Sequence, residues 1–193
     1  MWNRLSLVAA PSTAPVTTAR VKAHCQVDYS DHDTLFDELI EAARRRFDGP
    51  DGLGIALLTQ TWRLSLDSFP ATQIEIPMWP VKSIAAVTYI DANGDEQTWD
   101  SANYRLDKNR DPAILEPVYG QYWPGTRQQS GAVNIEFVVG EAANDINADL
   151  VRALIQLVAH WYENREAAMN QLHELPFGVR ETMEAYRRGI VGA

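Results

Sequence analysis

The segment "SIAAVTYIDANGDEQTW", residues 83–99, is typical of a β-hairpin. Apolar and polar residues alternate in its first half, as they do in a half-buried strand. Asn93 and Gly94 then supply the two residues with positive φ that a two-residue type I′ turn requires. The segment therefore predicts two antiparallel strands joined at a tip that is exposed to solvent or to a partner.

Further short strands are predicted on both sides of this hairpin. The segment "LLTQTWRLSLDSF" at residues 57–69 alternates in the same way, and "IEIPMWP" at residues 74–80 has the prolines of an edge strand or an extended crossing segment. After the hairpin come "NYRLD", "AILEPV" and "AVNIEFVVG". We therefore expect a β region over residues 55–140.

Helical periodicity appears before and after this region. Residues 17–48 predict two helices, the first with Thr17 or Thr18 as its N-cap and the second with an apolar stripe at 3.6-residue spacing. The same period returns over residues 147–188. The order of elements indicates an α+β fold with a helical body, made of N-terminal helices and a long C-terminal helix, and a small segregated antiparallel β region in the middle.

The predicted organisation is a single domain over residues 17–188. Two prolines, Pro11 and Pro15, interrupt the apolar start of the chain, so residues 1–16 are expected to form a flexible or partner-bound arm rather than a signal peptide. Residues 189–193 are expected to form a C-terminal tail. A chain of 193 residues is consistent with one domain carrying such extensions.

Composition excludes several classes of function. The net charge is −9 and the pI is near 4.9, so the chain lacks the excess of lysine and arginine that binds nucleic acid by neutralising phosphates. No stretch approaches the roughly 20 apolar residues of a spanning helix, which argues against a membrane protein. The single cysteine, Cys25, excludes an internal disulfide and is expected to be a buried structural thiol.

No residue pattern predicts a convincing catalytic site. His160 and Glu163 stand three residues apart on the last long helix, a spacing that can hold a metal ion, but no second motif completes the ligand set. The segment that begins "DANGDEQ" resembles a calcium loop, but it has Glu96 at position 6 instead of glycine and Ala102 at position 12 instead of glutamate. We therefore expect no enzyme activity, no metal and no cofactor, and keep a metal-dependent hydrolase using His160 and Glu163 as an alternative.

Several residues are candidates for contact with a partner. The run Arg44, Arg45 and Arg46 is either a basic patch or a complement to the dipole at a helix C-terminus. Arg165 continues an apolar helix face, so we expect it to extend past the core edge or to pair with a carboxylate on another element or subunit. The strand region is rich in aromatic residues, which are enriched in interface cores, and Trp79 and Trp123 are its candidates.

The ordered motifs along residues 17–188 carry a family resemblance. "QTW", "P-V-x-S-I-x-x-V-x-Y-x-D-x-x-G", "WP" and "HWYENRE" occur in this order. Together they resemble the head-tail connector, or adaptor, proteins of tailed phages and of phage-like gene transfer particles. The resemblance implies a non-enzymatic structural protein with a helical body and a β-rich portion.

The resemblance also implies partners and a location. Such a protein is expected to form a twelve-fold ring with copies of itself beneath the portal protein, in the neck of the particle at the head-tail junction. It extends the DNA channel, through which DNA passes without specific binding, and docks a stopper or tail-terminator protein. The C-terminal segment commonly engages the portal in such rings, which adds Phe177, Tyr186, Arg187 and Arg188 to the interface candidates. A generic soluble interaction domain remains the other alternative.

Overall fold

The computed structural model describes residues 4–164 and 175–188. The chain forms two compact units. Among the described residues, the β unit comprises residues 4–10 and 59–140, and the helical unit comprises residues 11–58, 141–164 and 175–188. Arg165 and the predicted tail at residues 189–193 lie outside the described residues.

The helical unit contains all the α-helices of the described residues. They are α1 (Thr18–Cys25), α2 (Asp33–Phe47), α3 (Ala148–Glu163) and α4 (Phe177–Tyr186). The side chain of Thr17 caps α1 by accepting a hydrogen bond from the Arg20 amide at 3.3 Å. Asn147 caps α3 by accepting one from the Asp149 amide at 2.8 Å. Both caps satisfy amides that have no partner within the helix.

Packing of the apolar helix faces forms the core of the helical unit. On α2 the buried positions recur at helical spacing, as a stripe facing one core requires. Each of α1 and α4 adds a shorter apolar face. The largest fully buried side chains of this core are Phe36, Phe47, Leu53, Leu58, Leu154 and Leu157.

A buried loop follows α2. Residues 53–58 are all buried, so their backbone groups need partners inside the protein. The Leu53 amide donates to the Phe47 carbonyl at 3.0 Å, and the Gly49 amide donates to the Ile55 carbonyl at 2.8 Å. The Leu57 amide donates to the carboxylate of Asp48 at 3.0 Å. The end of α2 therefore holds this loop in place.

The β unit contains eight strands among its described residues. In chain order they are β1 (Leu5–Ala9), β2 (Gln60–Leu66), β3 (Ile74–Ile76), β4 (Val81–Ile90), β5 (Glu96–Thr98), β6 (Tyr104–Asp107), β7 (Ala113–Pro117) and β8 (Val133–Val139). Five form one sheet in the order β1-β2-β8-β4-β5, and three form another in the order β3-β7-β6. Every pairing between these strands is antiparallel.

The central strand β8 shows why this part of the sequence forms a sheet. Its residues alternate between buried and half-buried along the whole strand, with Val133, Ile135, Phe137 and Val139 buried. Side chains two residues apart share one face of a strand, so β8 presents a continuous apolar face to the core of the β unit. On the opposite face Arg63 of β2 forms an ion pair with Glu136 of β8 at 2.6 Å.

The predicted α+β class with antiparallel strands is confirmed, but its helical emphasis is not. The strands account for nearly as many residues as the helices, and a strand from the predicted N-terminal arm, β1, joins the sheet. The predicted long C-terminal helix is represented by α3, whose 16 residues barely exceed the 15 of α2. The sheet is therefore a principal part of the fold and not a small insertion.

The predicted hairpin exists, but its turn is of a different type. The connection spans residues 91–95, and positive φ occurs at Gly94 (98°) but not at Asn93. One carboxylate oxygen of Asp91 accepts hydrogen bonds from the amides of Asn93, Gly94 and Asp95 at 2.8–3.1 Å. These bonds lower the pKa of Asp91 below its ordinary value. The aspartate therefore closes a five-residue turn that replaces the expected type I′ turn.

Candidate interface surfaces

The three arginines at the end of α2 occupy different environments. Arg44 is half-buried and donates two hydrogen bonds to Glu41, both at 2.8 Å, and another to Asp48. The side chain of Asp48 is only 4% exposed, so this pair is withdrawn from solvent. Arg45 is exposed and also donates to Glu41, at 2.9 Å. Only Arg45 and Arg46 are exposed enough for a partner to reach.

The carboxylate at the centre of this network is electrostatically stabilised. Hydrogen bonds from Arg44, with a further one from Arg45, lower the pKa of Glu41 to about 2. The charged form is favoured because opposite charges and donated hydrogen bonds both act on it. Arg44, with Arg45 bound to the same glutamate, therefore holds the end of α2 and the buried loop that follows it.

The C-terminal candidates divide in the same way. Phe177, at the start of α4, and Arg187 are exposed. Tyr186 is half-buried against the core of the helical unit. The Arg188 amide donates to the Leu53 carbonyl at 2.9 Å, which attaches the end of the described segment to the buried loop. This segment therefore presents an exposed aromatic ring and an exposed positive charge to a partner.

In the strand region, Trp123 packs against other side chains of the β unit. Its ring stacks on Phe69 with centroids 4.7 Å apart and contacts Trp99 at 4.8 Å. Its indole nitrogen donates to the Thr72 carbonyl at 2.8 Å. Trp123 is half-buried, and these contacts are all with residues of the β unit.

The other strand-region candidates are accessible. Trp79 is partly exposed between β3 and β4. Asn93 is exposed at the hairpin tip, and Gly94 beside it is half-buried against the guanidinium of Arg127. Their positions agree with a tip that is available for contact, and contact itself stays a prediction.

Two exposed tyrosines were absent from the sequence-based interface candidates. Tyr119 is fully exposed and Tyr122 is 86% exposed, on the loop that follows β7. Composition singled out the aromatic richness of this region, but aromatic type alone does not separate an exposed Tyr122 from a packed Trp123. The alternation of glycine and aromatics in "VYGQYWPG" is the one signal for a projecting loop.

The edge strand β1 was also absent from those candidates. Leu7 and Val8 are 46% and 45% exposed, and four of the five residues of β1 are exposed. Among the described strands β1 pairs only with β2. It thus presents apolar side chains and one unpaired backbone edge.

The alternative metal site receives no structural support in the described residues. His160 and Glu163 lie at the end of α3, where the Nδ1 of His160 is 3.3 Å from the side-chain nitrogen of Asn164. In the described part of the chain, no three histidine, cysteine or acidic side chains gather closely enough to hold a metal ion. Nor is any helix there long and apolar enough to cross a membrane.

Comparisons by sequence alone find nothing, since no family model matches the chain and no curated protein does. Solved structures do match. A chain of the neck of an empty gene transfer agent particle, obtained with C6 symmetry, superimposes with a TM-score of 0.78 at 25% identity, and the alignment covers 97% of this chain and 98% of that one. This chain is similar to a gene transfer agent neck protein.

Two further structures agree with this similarity. A chain of the neck of the native particle, obtained with C12 symmetry, matches with a TM-score of 0.68 at 26% identity over the same shares of both chains. A chain of the native virion shares the fold, with a TM-score of 0.70 at 24% identity. The resemblance indicated by the ordered sequence motifs is therefore confirmed, and particle necks are the location that it implied.

Proposed function

We propose that this chain is a structural head-tail adaptor in the neck of a phage-like particle. The observation that carries the proposal is the match over 97% of the chain to a neck protein of a gene transfer agent particle. A match of both units argues for a shared role more strongly than a match of one, because each unit alone is a small and simple arrangement of elements.

The proposed assembly is a ring of identical copies, twelve in number, beneath the portal. The C6 and C12 symmetries of the matched neck structures support a ring. A closed ring needs two different complementary surfaces on each subunit. The exposed Phe177 and Arg187 support the proposed contact of the C-terminal segment with the portal, and the opposite side of the ring would dock the stopper or tail-terminator protein.

The charge of the chain supports its place along a DNA channel. The net charge is −9, and acidic side chains outnumber basic ones in both units. An acidic wall repels phosphate and so allows DNA to pass without adhering. The proposed role is therefore mechanical, with neither catalysis nor a cofactor.

Deletion of the gene tests this function. Without the adaptor we expect filled heads and separate tails, and a plasmid copy should restore joined particles. A plasmid copy with His160→Ala should restore them equally well, because the proposal gives that side chain no chemistry. Normal particles from the deletion strain would refute the adaptor role, and failure of only the His160→Ala copy, with its fold intact by circular dichroism, would favour the hydrolase.

A further inference from the structure

Two uncharged stretches of this acidic chain carry exposed apolar or aromatic side chains. No charged residue occurs between Arg4 and Arg20, and none occurs between Glu116 and Arg127. The first stretch contains β1 and the second contains the exposed tyrosines. Two copies of a chain with a net charge of −9 repel each other, so contacts between copies are favoured where charge is absent.

The first surface is the edge strand, defined as β1. An ion pair between Arg4 and Asp67, with nitrogen and oxygen 2.5 Å apart, holds the start of the strand. That arginine, together with the Gly131 amide, lowers the pKa of Asp67 to about 2. Leu7 and Val8 are thereby held in place while about half exposed.

The second surface is the tyrosine loop, defined as residues 118–122. Its base is fixed by two backbone hydrogen bonds, from Val118 to Asn103 and from Gln121 to Val118, both at 2.9 Å. Trp123, packed on Phe69, fixes its other end. A loop with an anchored base loses little entropy when its tyrosines are buried in a contact.

These two surfaces lie in different sheets of the β unit. The order β1-β2-β8-β4-β5 places the edge strand at one edge of the five-stranded sheet. The tyrosine loop follows β7, the central strand of the three-stranded sheet, and the Val118 amide at its base donates to the carbonyl of Asn103, the residue before β6. The edge strand and the tyrosine loop are therefore two distinct surfaces of one subunit.

We propose that the tyrosine loop of one copy packs against the edge strand of the next copy. The inference rests on the proposed ring and names its subunit contact. Two different, complementary surfaces on each subunit are what a head-to-tail contact requires. Two buried tyrosines supply about 300–500 Å² of contact, the centre of an interface of about 800 Å² per partner.

Cysteine cross-linking in assembled particles tests this contact. The chain would carry Val8→Cys and Tyr122→Cys in a Cys25→Ser background, and purified particles would be treated with a short bismaleimide. Both new positions are exposed, so the fold should persist, and circular dichroism of the purified chain checks it. We expect a ladder of multiples of the chain mass, absent from each single-cysteine variant and from a control pair of Val8→Cys with Lys108→Cys.

The outcomes separate the contact from the ring. If the chain is present as a ring in the neck and no ladder forms, the contact is wrong while the proposed function stands. A cross-link from position 122 to a different virion protein would also overturn the contact. If the chain is absent from the necks of particles, the proposed function fails and the contact fails with it.

Discussion

Replacement of Arg44 by alanine should destabilise the helical unit, although the sequence presents this residue as one of three equivalent arginines. The substitution removes the guanidinium that forms an ion pair with the carboxylate of Asp48, which is 4% exposed. Removal of one partner from a buried ion pair costs about 3–5 kcal/mol. Asp48 keeps the hydrogen bond from the Leu57 amide, so the lower end of this range applies, about 3 kcal/mol.

The neighbouring Arg46 provides the matched control. It is exposed, and an exposed substitution away from special features changes stability by about 0.5 kcal/mol or less. Urea unfolding followed by circular dichroism at 222 nm measures both variants, since the described α-helices all lie in the helical unit. In thermal unfolding of a chain of this length, Arg44→Ala should lower Tm by about 6–12 °C.

A third variant identifies the cause of the loss. Combining Arg44→Ala with Asp48→Asn neutralises the buried carboxylate that Arg44 pairs with and keeps an oxygen for the Leu57 amide, so it should recover part of the lost stability. If Arg44→Ala proved as stable as Arg46→Ala, the buried ion pair would not hold the end of α2 and the basic patch would return as the better account of all three arginines.

Three further predictions concern the helical unit. The pKa of Glu41 is lowered to about 2, so its ion pairs stabilise the fold fully above its ordinary pKa of 4.5, and this stabilisation is lost as the pH falls through about 2. Urea unfolding at decreasing pH should therefore show a larger loss of unfolding free energy for the wild type than for Glu41→Gln. Gly52→Ala should destabilise by about 1–3 kcal/mol, because its Cβ would lie 2.7–2.8 Å from backbone atoms of residues 47 and 48. Gly178→Ala, in α4, should be neutral or stabilising, because its Cβ would meet only the side-chain oxygen of Gln156, at 3.8 Å; equal thermal shifts for the two variants would contradict this. Burial, with the nearby charge of Glu163, raises the pKa of the Cys25 thiol. At neutral pH, maleimide should therefore react faster with the urea-unfolded chain than with the folded one, and equal rates would contradict this.

Features set by local periodicity could be predicted from the sequence. The helical stripe of α2 and the alternation of β8 depend on residues close in the chain, and both elements formed where the pattern placed them. The cap at Thr17 was predictable for the same reason, because it acts within three residues. Local patterns thus established the α+β class.

Features that depend on distant or competing contacts could not be predicted. The strand β1 pairs with β2, more than 50 residues later, and its short apolar run before Pro11 carries no sustained alternation that shows this. Asn93 and Gly94 favour a type I′ turn locally, but the side chain of Asp91 competes for the same amides and lengthens the turn. Arg44 and Arg46 look alike in sequence and differ because Glu41 and the buried Asp48 both pair with Arg44.

Cryo-electron microscopy of the neck of particles that contain this chain tests the central claim most directly. We expect a ring of density between portal and tail into which both units of the chain fit, repeated around the axis and joined through the tyrosine loop and the edge strand. A neck fully accounted for by other proteins, with no density for this fold, would contradict the claim.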